Sequence, residues 1–322
     1  MVELITHLLN ESESLPLMVY ANGTDDATPK TLQELIYSNS EWVDERLNKH
    51  AALLFRGFGL TTAIEFEQVA QYLTGGLQRY VGGDSPRTPV LNKVYTSTEY
   101  PAHWQVELHH ELAYGRWWPN RVLFFCKTPP DKDGETPIAD GRRIYDCIDP
   151  VIRQRFADKG VRYIQNLRDE SVDGPGKSWQ KTFENDDREY IDNYCCDANM
   201  DTQWTEYGLR TQIVRPSVLQ HPVTGESVWF NQADQWHAEF TSVKHHDAVD
   251  KPDTRQNPPC HATYGDGTEI DPGDLQKIRN AYNTCEVLFP WQQGDVLLLD
   301  NILAAHGRKP FIGKREILVA MG

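Results

Sequence analysis

The feature that most constrains this fold is a set of three side chains that suit one metal ion but lie far apart in sequence. His109 and Glu111 are two positions apart, and His306 lies near the C-terminus. Residues two apart on a β-strand project to the same face, so we expect His109 and Glu111 to share a cavity. Only a tertiary fold can bring His306 to them. Two imidazoles and one carboxylate leave other coordination positions open, as in non-haem Fe(II) oxygenases.

Two other His-x-acid pairs compete with this choice among the 11 histidines. His245 and Asp247 lie in a polar stretch that is typical of a solvated loop. His237 and Glu239 follow a Trp/Asn/Gln-containing segment, and spacing alone leaves them open as an alternative. We favour the first pair because hydrophobic, strand-like segments flank it. Its neighbour His110 should point to the opposite face, and we interpret it as structural.

The composition favours a soluble enzyme of the cytoplasm. The chain has 322 residues and a formal net charge of −15, which argues against nucleic acid and anionic membranes as partners. The N-terminal residues lack the pattern of a signal peptide, and no apolar run approaches the length of a membrane span. The six cysteines show no CxxC or zinc spacing, and we expect reduced thiols.

Helical patterns dominate the first part of the chain. Residues 31–49 carry apolar side chains at helical spacing, and residues 51–58 form an apolar run that predicts a buried strand. Thr62 and Glu65 have the form of a capping box for a helix that ends at Gly75-Gly76. Asp149, with Pro150 after it, predicts a helix that ends at Gly160.

Short strands and turns follow, which indicates an α+β, mainly β fold: a single domain over 1–322 built around a β-sandwich or jelly roll, with flanking helices. Residues 1–50 would form an N-terminal helical arm. Two polar segments, 168–201 and 243–271, are predicted insertions or lids. The strands are predicted at 161–166, 211–220, 227–231, 285–289, 295–299 and 316–320.

Basic residues that follow His306 support its assignment as a metal ligand. It follows the apolar segment 296–299 and the turn Asp300-Asn301, which would place it at a strand start on the cavity rim. A guanidinium on the next strand can hold a carboxylate through two parallel hydrogen bonds. Arg315 is the candidate for this role, and Arg308 is the second choice.

Four stretches in order resemble the taurine dioxygenase/TfdA-like family of Fe(II)- and 2-oxoglutarate-dependent oxygenases. The likeness runs from about Ala51 to the C-terminus and is closest to the clavaminate synthase-like and SyrP-like branch. The stretches are Val-Tyr-Thr-Ser-Thr-Glu-Tyr-Pro (94–101), Leu-His-His-Glu-Leu-Ala-Tyr (108–114), Gly-Glu-Thr-Pro-Ile-Ala-Asp-Gly-Arg (134–142) and Ala-His-Gly-Arg-Lys-Pro-Phe-Ile-Gly-Lys-Arg (305–315).

The resemblance implies a double-stranded β-helix with Fe(II) in its mouth, ligated by His109, Glu111 and His306. It also implies that Thr136 donates its hydroxyl to 2-oxoglutarate and that Arg315 holds the distal carboxylate of that cosubstrate; O2 is the second cosubstrate. Many relatives carry Asp where this chain has Glu111, and Glu is familiar in the branch that hydroxylates amino acids. Related halogenases lack the carboxylate, so Glu111 argues against halogenation.

The expected reaction is oxidation of an unactivated C–H bond in a small polar substrate, such as an amino acid or one tethered to a carrier protein. Hydroxylation is the default, and desaturation, epoxidation or cyclisation need the same residues. A cupin-like dioxygenase or isomerase without 2-oxoglutarate and a non-catalytic ligand-binding jelly roll are the alternatives. The sequence leaves the oligomeric state open. Residues of the predicted substrate pocket are Arg87 (in the loop 82–87), Gln105, Asn166, Asn231 and Arg308.

Overall fold

The structure is a computed structural model that describes residues 4–9, 14–21, 27–83, 85–174, 176–238, 240 and 258–322. Its strands are β1 (Leu4–Leu8), β2 (Leu17–Ala21), β3 (Ala52–Arg56), β4 (Pro89–Leu91), β5 (Val94–Thr96), β6 (Val106–His109), β7 (Arg121–Thr128), β8 (Lys132–Asp133), β9 (Ile138–Asp140), β10 (Val161–Arg168), β11 (Asp201–Trp204), β12 (Gly208–Arg215), β13 (Val218–Gln220), β14 (Ser227–Trp229), β15 (Cys260–Tyr264), β16 (Val296–Asp300), β17 (Ala304–Arg308), β18 (Phe311–Ile312) and β19 (Glu316–Met321).

The helices of the described residues lie mainly outside the sheets. They are α1 (Pro29–Ser38), α2 (Ser40–His50), α3 (Ala63–Thr74), α4 (Gly141–Cys147), α5 (Pro150–Lys159), α6 (Trp179–Phe183), α7 (Arg188–Asp197), α8 (Ala233–Trp236) and α9 (Pro272–Cys285). The fold is therefore mixed α/β, and its framework is mainly β.

The central framework is an eight-stranded sheet in the order β1-β2-β3-β16-β7-β19-β5-β4. Its strand pairs are antiparallel except for β2 and β3, which run parallel. A four-stranded sheet has the order β11-β12-β10-β15, and a three-stranded sheet has the order β6-β17-β9. The remaining strands form the pairs β13-β14 and β18-β8.

The middle strands of the large sheet are apolar on both faces. In β16, Leu297 and Leu299 belong to one buried cluster, and Val296 and Leu298 belong to another. The second cluster also contains side chains of α1, α2 and α3, so these helices cover that face. Each fully buried Leu or Val side chain contributes about 1.5–3 kcal/mol relative to exposure. This burial on both faces explains the uninterrupted apolar run in the sequence.

The predicted helix boundaries around residues 62–75 and 149–160 are confirmed. The Thr62 side chain accepts from the backbone N–H of Glu65, and the Glu65 carboxylate accepts from the backbone N–H of Thr62. Gly75 then ends α3 with a φ of 70°, a conformation that glycine adopts without steric cost. Asp149 caps α5, Pro150 opens it and Gly160 follows its last residue.

The N-terminal arm is only partly helical, contrary to the expectation for residues 1–50. Strands β1 and β2 pair with each other, and β2 extends the eight-stranded sheet. The helix predicted over residues 31–49 is two helices, because Asn39 leaves the helical conformation between α1 and α2. The apolar residues of β2 belong to a buried surface, which the sequence alone does not reveal.

In the C-terminal half, one strand prediction was wrong and another was correct only in part. The strand predicted at 285–289 begins with Cys285, the last residue of α9, a helix that Asp271 caps. Within this range, Val287 forms an isolated bridge with Ile138. The strand predicted at 211–220 is divided between β12 and β13, which lie in different sheets. Pro216 lies between these two strands and has no N–H to continue a ladder.

The first predicted insertion is more ordered than its polar composition suggested. Residues 168–201 contain α6 and α7, which bury Trp179, Phe183 and Ile191 in a small cluster with Leu167 of β10 and Leu209 of β12. In the second segment, residues 241–257 lie outside the described residues, and β15 pairs with β10. No helix of the described chain is long and apolar enough to span a membrane. All six cysteines are free thiols.

Candidate active site

His109, Glu111 and His306 converge at one place in the fold. Each offers a ligand atom, and these atoms all lie within 4.8 Å of one another. His306 lies in the middle of β17, the central strand of the three-stranded sheet, and is the antiparallel partner of His109 at the end of β6. The two imidazole centroids are 4.5 Å apart. His306 therefore reaches the site by strand pairing, rather than from the strand start that we expected.

Glu111 reaches the same place by a turn and not by strand alternation. Strand β6 ends at His109, and the chain turns immediately afterwards. Leu112 follows with a φ of 57°, which is uncommon for a bulky residue and costs about 1–2 kcal/mol. Its side chain is buried, so packing holds this conformation. The prediction that His109 and Glu111 face one cavity therefore had the wrong structural reason.

Asn301 ties the ligand turn to the segment that carries His306. Its Oδ1 accepts from the backbone N–H of Glu111 at 2.8 Å, and its Nδ2 donates to the Glu111 carbonyl at 3.0 Å. Nδ2 also donates to the Pro119 carbonyl, and His110 Nδ1 donates to the Asn301 carbonyl at 2.8 Å. Asn301 is fully buried. Our sequence analysis missed it, although it stands directly after the apolar strand β16.

Two glutamines of the α8 region hold the strand from the other side. Gln235 Nε2 donates to the Leu108 carbonyl at 2.7 Å, and Gln232 Nε2 donates to the His110 carbonyl at 2.6 Å. These carbonyls flank His109 in sequence, so the two amides fix the backbone on both sides of that residue. Sequence reasoning missed both glutamines because their contacts are with backbone atoms distant in sequence.

Burial sets the protonation of the two histidines. It lowers the pKa of His109 to about 4, and the nearby His306 acts in the same direction. It also lowers the pKa of His306 below its ordinary value, although Glu111 opposes the shift. Burial alone would raise the pKa of Glu111, but the charge of Arg87 and the contact with His306 lower it. At neutral pH the cluster therefore offers two neutral imidazoles and one carboxylate.

The donor atoms of these residues fit a metal ion. His109 Nδ1 lies 2.8 Å from the Glu107 carbonyl, and donation there leaves Nε2 with its lone pair. The two ring nitrogens of His306 are buried without a hydrogen-bond partner in the described structure, and Nε2 lies 3.5 Å from Glu111 Oε2. Buried polar atoms are normally satisfied. A divalent ion bound between these atoms would satisfy the unpaired nitrogen that faces it.

Thr136 and Arg315, the predicted cosubstrate residues, lie in contact. Arg315 Nη2 is 3.3 Å from Thr136 Oγ1, and its Nε donates to the Gly134 carbonyl at 2.9 Å. Trp291 Nε1 also donates to Thr136 Oγ1, at 3.1 Å. With two donors aimed at its oxygen, the Thr136 hydroxyl retains its own proton for an acceptor. Trp291 is a further member of this group that the sequence did not single out for this role.

Arg315 is partly buried and has no carboxylate partner among the described ion pairs. Desolvation lowers its pKa to about 9, and the positive charge of Arg308 adds to the effect. The group stays charged at neutral pH, because that pKa remains above 7. A partly buried cation with only neutral partners suits an anionic ligand, and the distal carboxylate of 2-oxoglutarate has this charge.

Arg308 supports the cavity wall by hydrogen bonds to backbone carbonyl groups. Its guanidinium is buried and donates four hydrogen bonds of 2.7–3.1 Å to carbonyl groups of one loop. The acceptors belong to Thr98, Tyr100, Pro101 and Trp104. Because two of these residues line the cavity, the structure places Arg308 behind the wall.

The cavity beside the metal-ligand cluster opens to solvent. Its walls are aromatic, amide-bearing or apolar, and they include two of the three cluster residues. The lining residues are Ser85, Tyr100, Trp104, Gln105, Val106, His109, Glu111, Leu112, Tyr114, Gln232, Gln235, Trp236 and Cys260. Of the predicted substrate residues, Gln105 is in this wall, and its Nε2 donates to the Glu107 carboxylate at 2.8 Å.

The other predicted substrate residues do not line this cavity. Arg87 donates from Nη2 to Glu111 Oε2 at 2.6 Å, so it contacts the cluster from behind a wall residue. Asn231 is buried, donates to the Ser217 carbonyl and accepts from the Ala233 N–H. Asn166 lies on β10, where it donates to the carbonyl of Pro258 and accepts from Arg210. The amide groups of both asparagines are thus engaged with protein atoms.

The alternative histidine, His237, belongs to a second group with His261 and Glu269, and Glu239 lies outside the described residues. His261 Nδ1 lies 3.1 Å from the backbone nitrogen of Ala238, which donates to it. In the neutral ring the proton is then on Nε2, which is 3.2 Å from a Glu269 oxygen. His261 thus uses both ring nitrogens in hydrogen bonds and presents no lone pair to an ion.

Sequence comparison places these features in a family. The model of the taurine catabolism dioxygenase TauD, TfdA family matches residues 12–321. The chain is 37% identical over 280 residues to the dapdiamide synthesis protein DdaC of Enterobacter agglomerans, a match that covers 87% of this chain and 84% of DdaC. It is 31% identical over 297 residues to the clavaminate synthase-like protein At3g21360 of Arabidopsis thaliana, with coverages of 89% and 86%.

The chain therefore belongs to the TauD, TfdA family of Fe(II)- and 2-oxoglutarate-dependent dioxygenases. Solved structures share its fold at low sequence identity. AAD-2, solved with Mn(II) and N-oxalylglycine, has a TM-score of 0.55 and 13% identity, with 99% of this chain and 96% of AAD-2 covered. PvcB, an Fe, alpha-ketoglutarate dependent oxygenase from an isonitrile synthetic pathway, has a TM-score of 0.53 and 14% identity, with coverages of 99% and 90%.

Proposed function

We propose that this protein oxidises an unactivated C–H bond of a small polar substrate, an amino acid or an amino-acid-derived natural-product intermediate. The convergence of His109, Glu111 and His306 beside an open cavity carries the proposal. These residues would hold Fe(II) and leave coordination positions for the cosubstrates. The relatives DdaC, named for dapdiamide synthesis, and a clavaminate synthase-like protein support the substrate class.

Two groups of residues would support the iron and the cosubstrate. Asn301, Gln232 and Gln235 fix the backbone of the ligand turn, which orients His109 and Glu111. Thr136 and Arg315 would bind the carboxylate end of 2-oxoglutarate. When bound, Fe(II) and 2-oxoglutarate supply the oxidising chemistry, in which O2 is reduced and the cosubstrate becomes succinate and carbon dioxide.

The cavity wall would place the substrate and exclude water. Tyr100, Trp104 and Trp236 provide apolar surface, and Gln105 provides a polar contact. Hydroxylation is the proposed default outcome, and a substrate tethered to a carrier protein would use the same cavity mouth. The two asparagines predicted to bind substrate would act as structural residues instead.

The alternatives explain less of the site. A dioxygenase or isomerase that uses no oxo-acid has no need for Arg315 beside Thr136, where a partly buried cation has only neutral partners. A non-catalytic binding module has no need for two neutral imidazoles and a carboxylate in one place. The family match also supports an enzyme.

Three broader proposals concern the fold, the domain organisation and the cellular compartment. The eight-stranded and three-stranded sheets would be the two layers of a double-stranded β-helix, with His306 on the inner face of the smaller one. Residues 1–322 would form one oxygenase domain, since the family match spans 12–321. The free thiols fit a reducing compartment such as the cytoplasm.

Anaerobic reconstitution tests the proposal. The protein is loaded with Fe(II) and 2-oxoglutarate, and amino acids are added one at a time before exposure to O2. We expect at least one of them to accelerate succinate formation above the level without substrate. The Arg315→Leu variant should lose this succinate, and the neighbouring Lys314→Leu variant, at an exposed position, should keep it. Succinate release that survives Arg315→Leu would contradict the cosubstrate assignment.

A further inference from the structure

Two cysteines that end helices lie against each other, although they are 138 residues apart in sequence. Cys147 is the last residue of α4, and Cys285 is the last residue of α9. The Cys285 thiol donates to Cys147 Sγ, and the two sulfur atoms are 3.5 Å apart. The sulfur atoms of a disulfide are about 2.05 Å apart. Because helix ends fray more readily than helix interiors, these two positions can make the short approach that remains.

The two thiols differ in their access to solvent. Cys147 is exposed, whereas only 1% of Cys285 is exposed. Burial raises the pKa of Cys285 to about 12, and its hydrogen bond with Cys147 acts in the same direction. Cys285 therefore stays a neutral thiol at neutral pH and is shielded from dissolved reagents. A diffusing oxidant meets Cys147 first, and Cys285 lies within reach of the oxidised sulfur.

The adjacent cysteines Cys195 and Cys196 provide a contrast in the same chain. Both lie in α7, where neighbouring side chains project about 100° apart around the helix axis. Cys195 is buried and its thiol donates to Met200 Sδ at 3.7 Å, whereas Cys196 is exposed. A bond between these two sulfur atoms would have to distort the helix. Contact in the fold, rather than adjacency in sequence, therefore favours the pair Cys147 and Cys285.

Strand β9 connects this pair to the candidate active site. Helix α4 begins directly after β9, whose Ile138 is the strand partner of His306. Val287, two residues after Cys285, exchanges two backbone hydrogen bonds with Ile138, at 2.8 and 3.0 Å. A bond between the cysteines would thus join the helix that follows β9 to the segment that bridges β9.

We propose that Cys147 and Cys285 form a reversible disulfide when the protein meets hydrogen peroxide. The Cys147 sulfur first attacks the O–O bond, which gives a sulfenic acid at Cys147 and one water. The Cys285 sulfur then attacks the Cys147 sulfur, the S–O bond breaks, and the hydroxide leaves with the thiol proton of Cys285 as a second water. The two thiols lose two electrons, which the peroxide gains. Transient disulfides of this kind occur in redox-sensing proteins of reducing compartments.

Peptide mapping after peroxide treatment tests the proposal. The full-length chain is reduced, freed of the reductant and exposed to hydrogen peroxide with a chelator present, so that iron does not generate radicals. The remaining thiols are alkylated, and proteolytic peptides are identified by mass spectrometry. We expect the number of free thiols to fall by two from the six of the reduced chain, with the Cys147 peptide linked to the Cys285 peptide. Dithiothreitol should restore all six.

Three variants assign the steps of the reaction. Cys147→Ser changes an exposed residue, and it should abolish the cross-link. Cys196→Ser is the matched control at another exposed cysteine, and it should keep the cross-link. Cys285→Ala removes the buried partner, so peroxide should leave a sulfenic acid at Cys147, which a dimedone probe traps as an adduct.

The cross-link should also stabilise the fold, because it constrains the unfolded chain over 138 residues. We expect the unfolding temperature of peroxide-treated wild type to rise by about 5 °C and to return after treatment with dithiothreitol. The Cys147→Ser variant should show no such rise after peroxide, because it cannot form the bond.

The proposal is overturned if all six thiols of peroxide-treated wild type remain free, if Cys147 pairs with a different cysteine or with Cys147 of a second chain, or if Cys196→Ser abolishes the cross-link. Equal unfolding temperatures of cross-linked and reduced wild type would contradict the constraint that the bond places on the chain. These measurements need neither substrate nor turnover, so their outcome is independent of the proposed function.

Discussion

Two arginines of the candidate site, Arg315 and Arg87, differ in what holds them. Arg315 contacts the Gly134 carbonyl and the hydroxyls of Ser97 and Thr136, which are all neutral. Arg87 instead contacts the charged carboxylate of Glu111. The first arginine is positioned by groups that remain in place when an anion arrives. The second is coupled to the metal ligand itself.

This difference suggests a division between the two ends of the site. The proposed cosubstrate end would form independently of the metal, because the contacts of Arg315 involve none of the three proposed metal ligands. Arg87 shares a hydrogen bond with Glu111, so metal binding would be linked to the position of Arg87. Substitutions test this division, and Arg315→Leu should have the largest effect.

Arg315→Leu should remove most 2-oxoglutarate binding while it leaves metal binding intact. The substitution deletes the cation that would hold the distal carboxylate, and charged hydrogen bonds contribute about 1.5–3 kcal/mol each. We expect the affinity for 2-oxoglutarate to fall by about 100-fold or more, measured by calorimetry on Mn(II)-loaded protein. Lys314→Leu is the matched control at the preceding position. A parallel loss of Mn(II) affinity in Arg315→Leu would contradict the independence of the two ends.

Asn301→Asp should weaken the metal site without altering the cosubstrate end. The new carboxylate would repel the Glu111 and Pro119 carbonyls, to which the asparagine Nδ2 now donates. Outer residues of this kind typically change metal affinity by about 10- to 100-fold, and we expect Mn(II) affinity to fall within that range.

Asn280→Asp, an exposed change on α9, serves as the control for Asn301→Asp. The unfolding temperature is recorded beside Mn(II) affinity, because a purely structural role would lower the former alone. Unchanged Mn(II) affinity in Asn301→Asp would refute the positioning role of Asn301.

Thr136→Val should give the smallest effect. Valine has nearly the same shape as threonine but lacks the hydroxyl that would donate to the cosubstrate carboxylate. A hydrogen bond to a charged group contributes about 1.5 kcal/mol at the low end, so we expect about tenfold weaker binding of 2-oxoglutarate. Thr136→Ser should restore most of the affinity. If the valine variant binds 2-oxoglutarate as wild type does, the hydroxyl has no part in binding.

Local signals in the sequence were enough for several elements of the fold. The capping box at Thr62 and the Asp149-Pro150 start rely on atoms within one helical turn, so the sequence specifies them directly. Helix α9 was missed although Asp271 caps it and Pro272 opens it. Its polar surroundings and the apolar residues after Cys285 favoured a strand, and the buried side of the helix depends on tertiary packing.

The candidate site was likewise predictable from the sequence only in part. The sequence shows the residue types and spacing of the three proposed metal ligands. The turn that directs Glu111 to the cluster depends on Leu112 and on Asn301, which is distant in sequence. Gln232 and Gln235 act on backbone carbonyls, which leave no pattern in side-chain chemistry. Arg87 was predicted to belong to the substrate pocket. Its contact with Glu111 arises from a fold that no local motif encodes.

The most direct test of the account is the metal content of His306→Ala. Purified wild type and variant are dialysed against Mn(II) without O2, and the bound ion is counted per chain, with His7→Ala, an exposed change on β1, as the control. We predict one ion per chain in wild type and in His7→Ala, and none in His306→Ala. Full occupancy in His306→Ala, or its loss in His261→Ala instead, would contradict the claim that His109, Glu111 and His306 hold the metal.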